Sequence, residues 1–161
     1  MRNSDIITLI NNGLLYTTAF NVDSASAYKL YKLKKAVENA SEKIRETEKG
    51  LVKDAGIDQP EAFDERMREL NSIKPENLTD EQKAELDTLN KEFRKYTDLR
   101  IEMYNDTTDL DGVKPVPYDT WFTLQKENKE VTVPGNDIKF NVFSGPVESI
   151  LEGVFWNAPE E

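Results

Sequence analysis

Residues 23–55 read DSASAYKLYKLKKAVENASEKIRETEKGLVKDA. Within them Leu30, Leu33, Val37, Ala40, Ile44, Thr47 and Leu51 recur at alternating steps of three and four. That spacing places all seven on one face of an α-helix, as a narrow coiled-coil-like seam. A helix over residues 24–54 would be about 45 Å long at 1.5 Å per residue. Such a rod cannot hide its seam alone, so the rest of the chain or a second molecule must cover it. Asp23 or Ser24 is the expected cap and Gly56 the expected stop. Gly50, inside the last turns, weakens them by up to about 1 kcal/mol relative to Ala. Tyr28 and Tyr31 flank the start of the seam and are expected to broaden its apolar contact.

A second long helix is expected from the capping-box spacing Thr79-x-x-Gln82 to about Tyr104. Its stripe is Leu86, Leu89, Phe93, Tyr96 and Met103, with Arg100 in register and Leu99 beside it. Between the two helices, Asp58-Gln59-Pro60-Glu61 starts a short helix carrying Phe63, Met67 and Leu70, which ends near Asn71. Lys74-Pro75 breaks the chain again. Two long helices joined by such an excursion predict an antiparallel hairpin, each stripe covering the other.

The flanks are less regular. Residues 4–12 read as a short helix capped by Ser4 or Asn3, with Ile6, Ile7, Leu9 and Ile10 apolar and Asn12-Gly13 as its end. Leu14, Tyr16, Thr18, Phe20 and Val22 alternate, which predicts an extended segment over 14–22. After the second long helix come a polar turn over 105–112, an extended crossing at Pro115 and Pro117, and a helical segment with Tyr118, Trp121, Phe122 and Leu124. Residues 130–133 and 138–143 alternate like two strands about the turn Pro134-Gly135-Asn136-Asp137. Val147, Ile150, Leu151, Val154 and Phe155 mark a last helical turn or two. The expected fold is mainly α: a long antiparallel, coiled-coil-like helical hairpin over residues 1–112, with a small α+β C-terminal subdomain over 113–161 packed on it.

Composition narrows the chemistry. Apolar residues make up 37% of the 161 and charged residues 32%, a lean core under a heavily charged surface. There is no Cys and no His. Thiol nucleophiles, disulfides, thiolate zinc sites and imidazole bases or ligands are thereby excluded. No stretch approaches the roughly 20 apolar residues that span a bilayer, and residues 1–5 lack the apolar run of a secretion signal. The expected location is the cytoplasm: that of a host cell, or the virion, if the chain is phage-encoded.

The net charge of −10 is unevenly spread, with a local +4 over residues 24–53 and −9 over 54–112. The simplest reading is charge matching between the long basic helix and the acidic segment that follows. A net-acidic chain argues against direct nucleic-acid binding through phosphates.

The candidate sites are few. Thr107-Thr108-Asp109-Leu110-Asp111-Gly112 resembles half a calcium loop, but its first position is Thr and its twelfth is Tyr118, so two required ligands are missing. A helix-terminating turn is the preferred reading. Glu81, Glu85, Glu92, Asp98 and Glu102 have Lys83, Lys91, Arg94 and Lys95 interleaved, the pattern of a solvated helix face. The seven glycines are scattered singly, with no phosphate-cradling loop. Lys29, Lys32, Lys34 and Lys35 form a basic cluster beside Tyr28 and Tyr31, read either as a contact for an acidic partner or as the acid-facing flank of the hairpin. Trp121-Phe122 and Phe155-Trp156 are either partner anchors or the core of the terminal subdomain. The candidate partner contacts are therefore Tyr28, Tyr31, Lys34, Lys35, Trp121, Phe122 and Trp156; no catalytic, cofactor-binding or metal-binding set is assigned.

The order of parts carries a resemblance. A Leu9-Ile10-Asn11 segment precedes an extended piece, then the helix bearing Ala27-Tyr28-Lys29-Leu30-Tyr31-Lys32-Leu33-Lys34-Lys35, a break, a second helix and the tail with Glu130-Val131-Thr132-Val133. In layout this resembles small uncharacterised proteins of tailed phages and prophages, which implies a phage origin and carries over no activity or site residue. Two functions are then expected to compete. One is a non-enzymatic phage or mobile-element protein acting by protein–protein contact or self-association, as a virion, assembly or accessory component. The other is an acidic inhibitor or nucleic-acid mimic that binds a basic groove of a host nuclease or defence enzyme. A carboxylate-dependent enzyme lacks the convergent site that catalysis requires.

Overall fold

The structure, a computed structural model, describes residues 1–11, 23–127, 131–132, 139–140 and 145–156. It is mainly helical. The described elements are α1 (Asn3–Asn11), α2 (Ser24–Asp54), α3 (Pro60–Ser72), a short 3-10 turn (Pro75–Asn77), α4 (Asp80–Asn105), α5 (Tyr118–Glu127), two short strands β1 (Val131–Thr132) and β2 (Lys139–Phe140), and α6 (Pro146–Leu151). The strands pair antiparallel, Val131 opposite Phe140 and Thr132 opposite Lys139. The expected helix stop at Asn12-Gly13, the extended segment over 14–22, the turn over 134–137 and the remainder of both expected strands lie outside the described residues.

Local signals place the helix ends. The Asp23 carboxylate accepts from the backbone N–H groups of Ala25 and Ser26 at 2.9 and 3.0 Å, so Asp23 caps α2. Its pKa is lowered from the usual carboxylate value first by a hydrogen bond from the Ser26 side chain and then by these backbone N–H groups. At the other end the Ile57 N–H reaches the Val52 carbonyl at 3.0 Å, and Gly56 takes φ +99 to close the helix. The capping box at α4 forms reciprocally: Thr79 N–H donates to Gln82 Oε1 and Gln82 N–H donates to Thr79 Oγ1. Asn3 is not the cap of α1. It is the helix's first residue and is buried, and its side-chain oxygen accepts the Thr108 hydroxyl at 2.8 Å.

The chain divides into two compact units, Met1–Lys43 with Asp106–Glu161, and Ile44–Asn105. The division falls within α2 and at the end of α4. In the first unit the first residues are tied to the segment just after α4, across more than a hundred residues. Asn3 N–H donates to the Asp106 carbonyl, Thr108 N–H to the Met1 carbonyl, and the N-terminal ammonium to the Thr108 carbonyl, at 2.8, 2.8 and 3.0 Å. α1 packs against α6. The buried apolar residues of this unit are Ile6, Leu9 and Ile10 of α1, Leu30, Leu33, Val37 and Ala40 of α2, and Val116, Trp121, Leu124, Val147, Leu151, Phe155 and Trp156. The early seam of α2, Leu30, Leu33, Val37 and Ala40, is thus buried within this unit.

The second unit holds the last turns of α2, then α3 and α4. Its buried apolar residues are Ile44, Ala55, Ile57, Leu70 and Met103. The seam loosens here, with Thr47 exposed and Leu51 half-buried. On α4, Leu86, Leu89, Tyr96 and Leu99 are half-buried, and Phe93 is 50% exposed. Phe93 was expected under cover and instead stands at an open groove beside Phe63 and Met67 of α3.

The polar contacts of α4 run antiparallel to α2. Arg100 Nε meets Glu48 Oε1 at 2.6 Å, Tyr104 hydroxyl donates to the same oxygen at 3.3 Å, and Lys95 Nζ donates to the Asp54 carbonyl. Farther along, a Cβ at Gly56 would lie 3.5 Å from Glu92 Oε1. At this contact the sense of the pairing is the reverse of the one expected: the Glu48–Arg100 ion pair joins an acid of α2 to a base of α4. Arg45, Lys49 and Lys53 of α2 make no ion pair among the described residues.

Candidate functional site

Helical periodicity aligns Tyr28, Tyr31, Lys32, Lys35, Asn39 and Lys43 along one side of α2, since steps of three and four return to the same face. The tyrosines were expected to widen the buried seam. They stand outside it instead, 58% and 55% exposed, because the seam's neighbours on that flank leave them in solvent. Lys32 Nζ sits 4.8 Å from the centre of the Tyr28 ring, within cation–π range. Lys35 pairs with Glu38 at 2.9 Å, and that hydrogen bond raises the lysine's pKa. Lys34 is half-buried.

The loop after α4 forms the opposite wall. Thr108, Asp109, Asp111 and Gly112 face Tyr31, Lys32, Lys35, Asn39 and Lys43 across a cleft of about 250 Å³. The half calcium loop is therefore a turn, closed by Val113 N–H to the Leu110 carbonyl at 3.2 Å. Three ammonium groups line the cleft with its two carboxylates, an arrangement that opposes a divalent cation. Among the described residues no group of three or more metal-ligating side chains gathers. The charge pattern set the acidic segment over 54–112 against the basic helix but did not single out Asp109 and Asp111 as the acids that face these lysines.

The aromatic candidates of the C-terminal region separate into core and surface. Trp121 and Trp156 are buried and stack with centroids 5.6 Å apart and planes within 3°, and Phe155 meets Trp121 edge-on at 6.2 Å. The two tryptophans are therefore core, not partner contacts, because burying two indoles and a phenyl ring together is the main apolar gain available to so short a segment. Phe122 is 55% exposed and stacks at 6.4 Å on Tyr118, one turn earlier on α5. Of the candidate contacts, Tyr28, Tyr31, Lys35 and Phe122 are at the surface, and Tyr31 and Lys35 share the cleft.

A second surface was missed. Phe63 and Met67 of α3 and Phe93 of α4 line a groove of about 500 Å³. Its signal in the sequence was a stripe on α4 longer than anything left to cover it.

Glu85 of α4 is held in an ion-pair network with α3. Arg66 bonds Glu85 through two nitrogens at 2.7 Å each and reaches Glu69 at 2.8 Å. These bonds push the guanidinium's pKa well up and hold the Glu85 carboxyl below its ordinary value. Asp23 and Glu85 both move down, the reverse of what a general acid needs. Burial, then the nearby Glu48, raises the Tyr96 phenol. Among the described residues no helix is long and apolar enough to cross a membrane.

Comparison of the chain with protein-family models, with curated proteins and with solved structures finds no match.

Proposed function

We propose that the chain is a non-enzymatic protein of a phage or mobile element that acts by protein–protein contact, as a virion, assembly or accessory component, in the host cytoplasm or the particle. The observation that carries the reading is the exposed pair Tyr28 and Tyr31, held on a rigid helix beside lysines and above a cleft. Exposed tyrosines on a preformed helix supply contact area at small entropic cost, and interface cores are enriched in them. On this reading α2 and α4 form a long antiparallel hairpin that serves as the scaffold, supported by the Glu48–Arg100 and Asp54–Lys95 contacts.

The test is a photocrosslinking amino acid placed at position 28 or 31, and at exposed Lys91 as control, in cells carrying the gene. The expected result is one discrete protein adduct from positions 28 and 31 and none from 91. Equal adducts at all three positions, or robust substrate turnover by the purified chain, would overturn the proposal.

One observation favours a second reading, the acidic inhibitor or nucleic-acid mimic. That reading requires the acids of residues 54–112 to be on display, not spent on the basic helix. Asp58, Glu61, Asp64, Glu65, Asp80, Glu81, Asp87, Asp98 and Glu102 are all exposed. Binding of this kind collapses as salt rises, whereas contact through the tyrosines persists, so capture of the partner at low and high ionic strength separates the two.

A further inference from the structure

We propose that a second copy of this chain docks on the groove between α3 and α4 about a two-fold axis, with Asp64 of each copy meeting Arg68 of the other. The groove offers apolar surface without cover: Phe63 and Met67 are half-buried along α3, and Phe93 stands half exposed across from them. Asp64 and Arg68 line the same groove.

The charge pattern names the occupant. Asp64 and Arg68 are four residues apart on one face of α3, the spacing at which helix ion pairs form. Nevertheless they make no ion pair with each other or with any other described residue. Their neighbour Arg66 is fully engaged by Glu69 and Glu85. A two-fold interface must be self-complementary, residue i meeting j while j meets i. An acid and a base one turn apart on the same helix face meet that condition when two copies of the helix lie antiparallel. Each acid then faces the partner's base, two pairs in all, and the apolar side chains between them close over one another. A purely apolar occupant would strand both charges, and an acidic or basic one would satisfy only one of them.

This surface lies on the second unit and shares no residue with the Tyr28–Tyr31 face, so either reading can fail while the other stands. The test uses the full chain and reads mass by light scattering and sedimentation over a range of concentrations. The wild type is expected to be a dimer. Phe93→Asp, at an exposed position, is expected to be monomeric with unchanged circular dichroism. Asp64→Arg alone and Arg68→Asp alone set like charges opposite one another twice and are expected to weaken the dimer about tenfold each. Mixing those two single variants restores both pairs, so a heterodimer of near wild-type affinity is expected. A wild type that stays monomeric to its solubility limit would overturn the proposal. A dimer indifferent to Phe93→Asp, or single variants that do not recover on mixing, would overturn it equally.

Discussion

Leu33 of α2 and Leu89 of α4 occupy equivalent places in the stripes of the two long helices, yet Leu33 is fully buried and Leu89 only partly. The difference extends to the units that hold them. The largest fully buried side chains of the described residues are Trp121, Phe155, Ile6, Leu9, Leu30, Leu33, Leu70, Leu124, Leu151 and Val37, and of these Leu70 alone belongs to the second unit. In the first unit, segments before and after α2 in the sequence contribute buried apolar residues, and backbone hydrogen bonds tie residues 1–3 to 106–108. In the second, three helical segments rely on a thin core and on surface ion pairs. An exposed ion pair contributes about 0–1 kcal/mol, whereas a fully buried leucine contributes about 2 kcal/mol or more, so the first unit is the anchor of the fold. An open, lightly packed unit is also the one with surface left for association.

The largest expected consequence is in core truncation. Leu33→Ala should destabilise by about 3 kcal/mol, since the cavity it leaves has walls on all sides. Leu89→Ala should cost about 1 kcal/mol, because that side chain is only partly withdrawn from water. Urea denaturation of the two variants measures the contrast, and equal costs would erase it.

The two glycines that close α2 come next. Gly56 holds φ +99, so Gly56→Ala should cost about 1–2 kcal/mol. Gly50 is helical with open space around its Cα, so Gly50→Ala should stabilise by about 0.5–1 kcal/mol. Opposite shifts in melting temperature are the readout.

Much of this architecture is legible in the sequence, for physical reasons that differ by element. Asp23, Gly56 and the Thr79–Gln82 box act through atoms within a few residues, so the ends of α2 and the start of α4 follow from local chemistry. The seam likewise tells which face of α2 is buried. It does not tell against what, because periodicity is blind to partner. The bond from Asn3 to Asp106 spans most of the chain, and nothing in either residue's neighbourhood announces it. The same blindness explains the candidate contacts. Tyr28 and Trp121 are both large aromatics on helices, but one flanks a stripe whose cover stops short, and the other finds Trp156 and Phe155 to pack on. Lys35 was legible as one of a basic cluster; that Asp109 and Asp111 face it depends on the path of the loop after α4.

The smallest expected effect concerns Glu85 in the second unit. Its folded pKa is lowered chiefly by the hydrogen bonds from Arg66. The stabilisation it contributes is therefore complete above the unfolded carboxyl's pKa, about 4.3, and is lost as pH falls through the lower folded value. Glu85→Gln should melt below the wild type at pH 7, and the gap should close in acid below the ordinary carboxyl range. A gap that stays constant over that interval would remove Glu85 from the account.

Native-state hydrogen exchange compares the two units within one molecule. At a concentration that keeps the chain monomeric, the amides of residues 33–40 of α2 should exchange at least about tenfold more slowly than those of residues 86–93 of α4, a difference of about 1.4 kcal/mol in opening free energy. Both stretches are mid-helix, so end fraying does not enter. Equal protection, or slower exchange in α4, would contradict a packed anchor joined to an open unit.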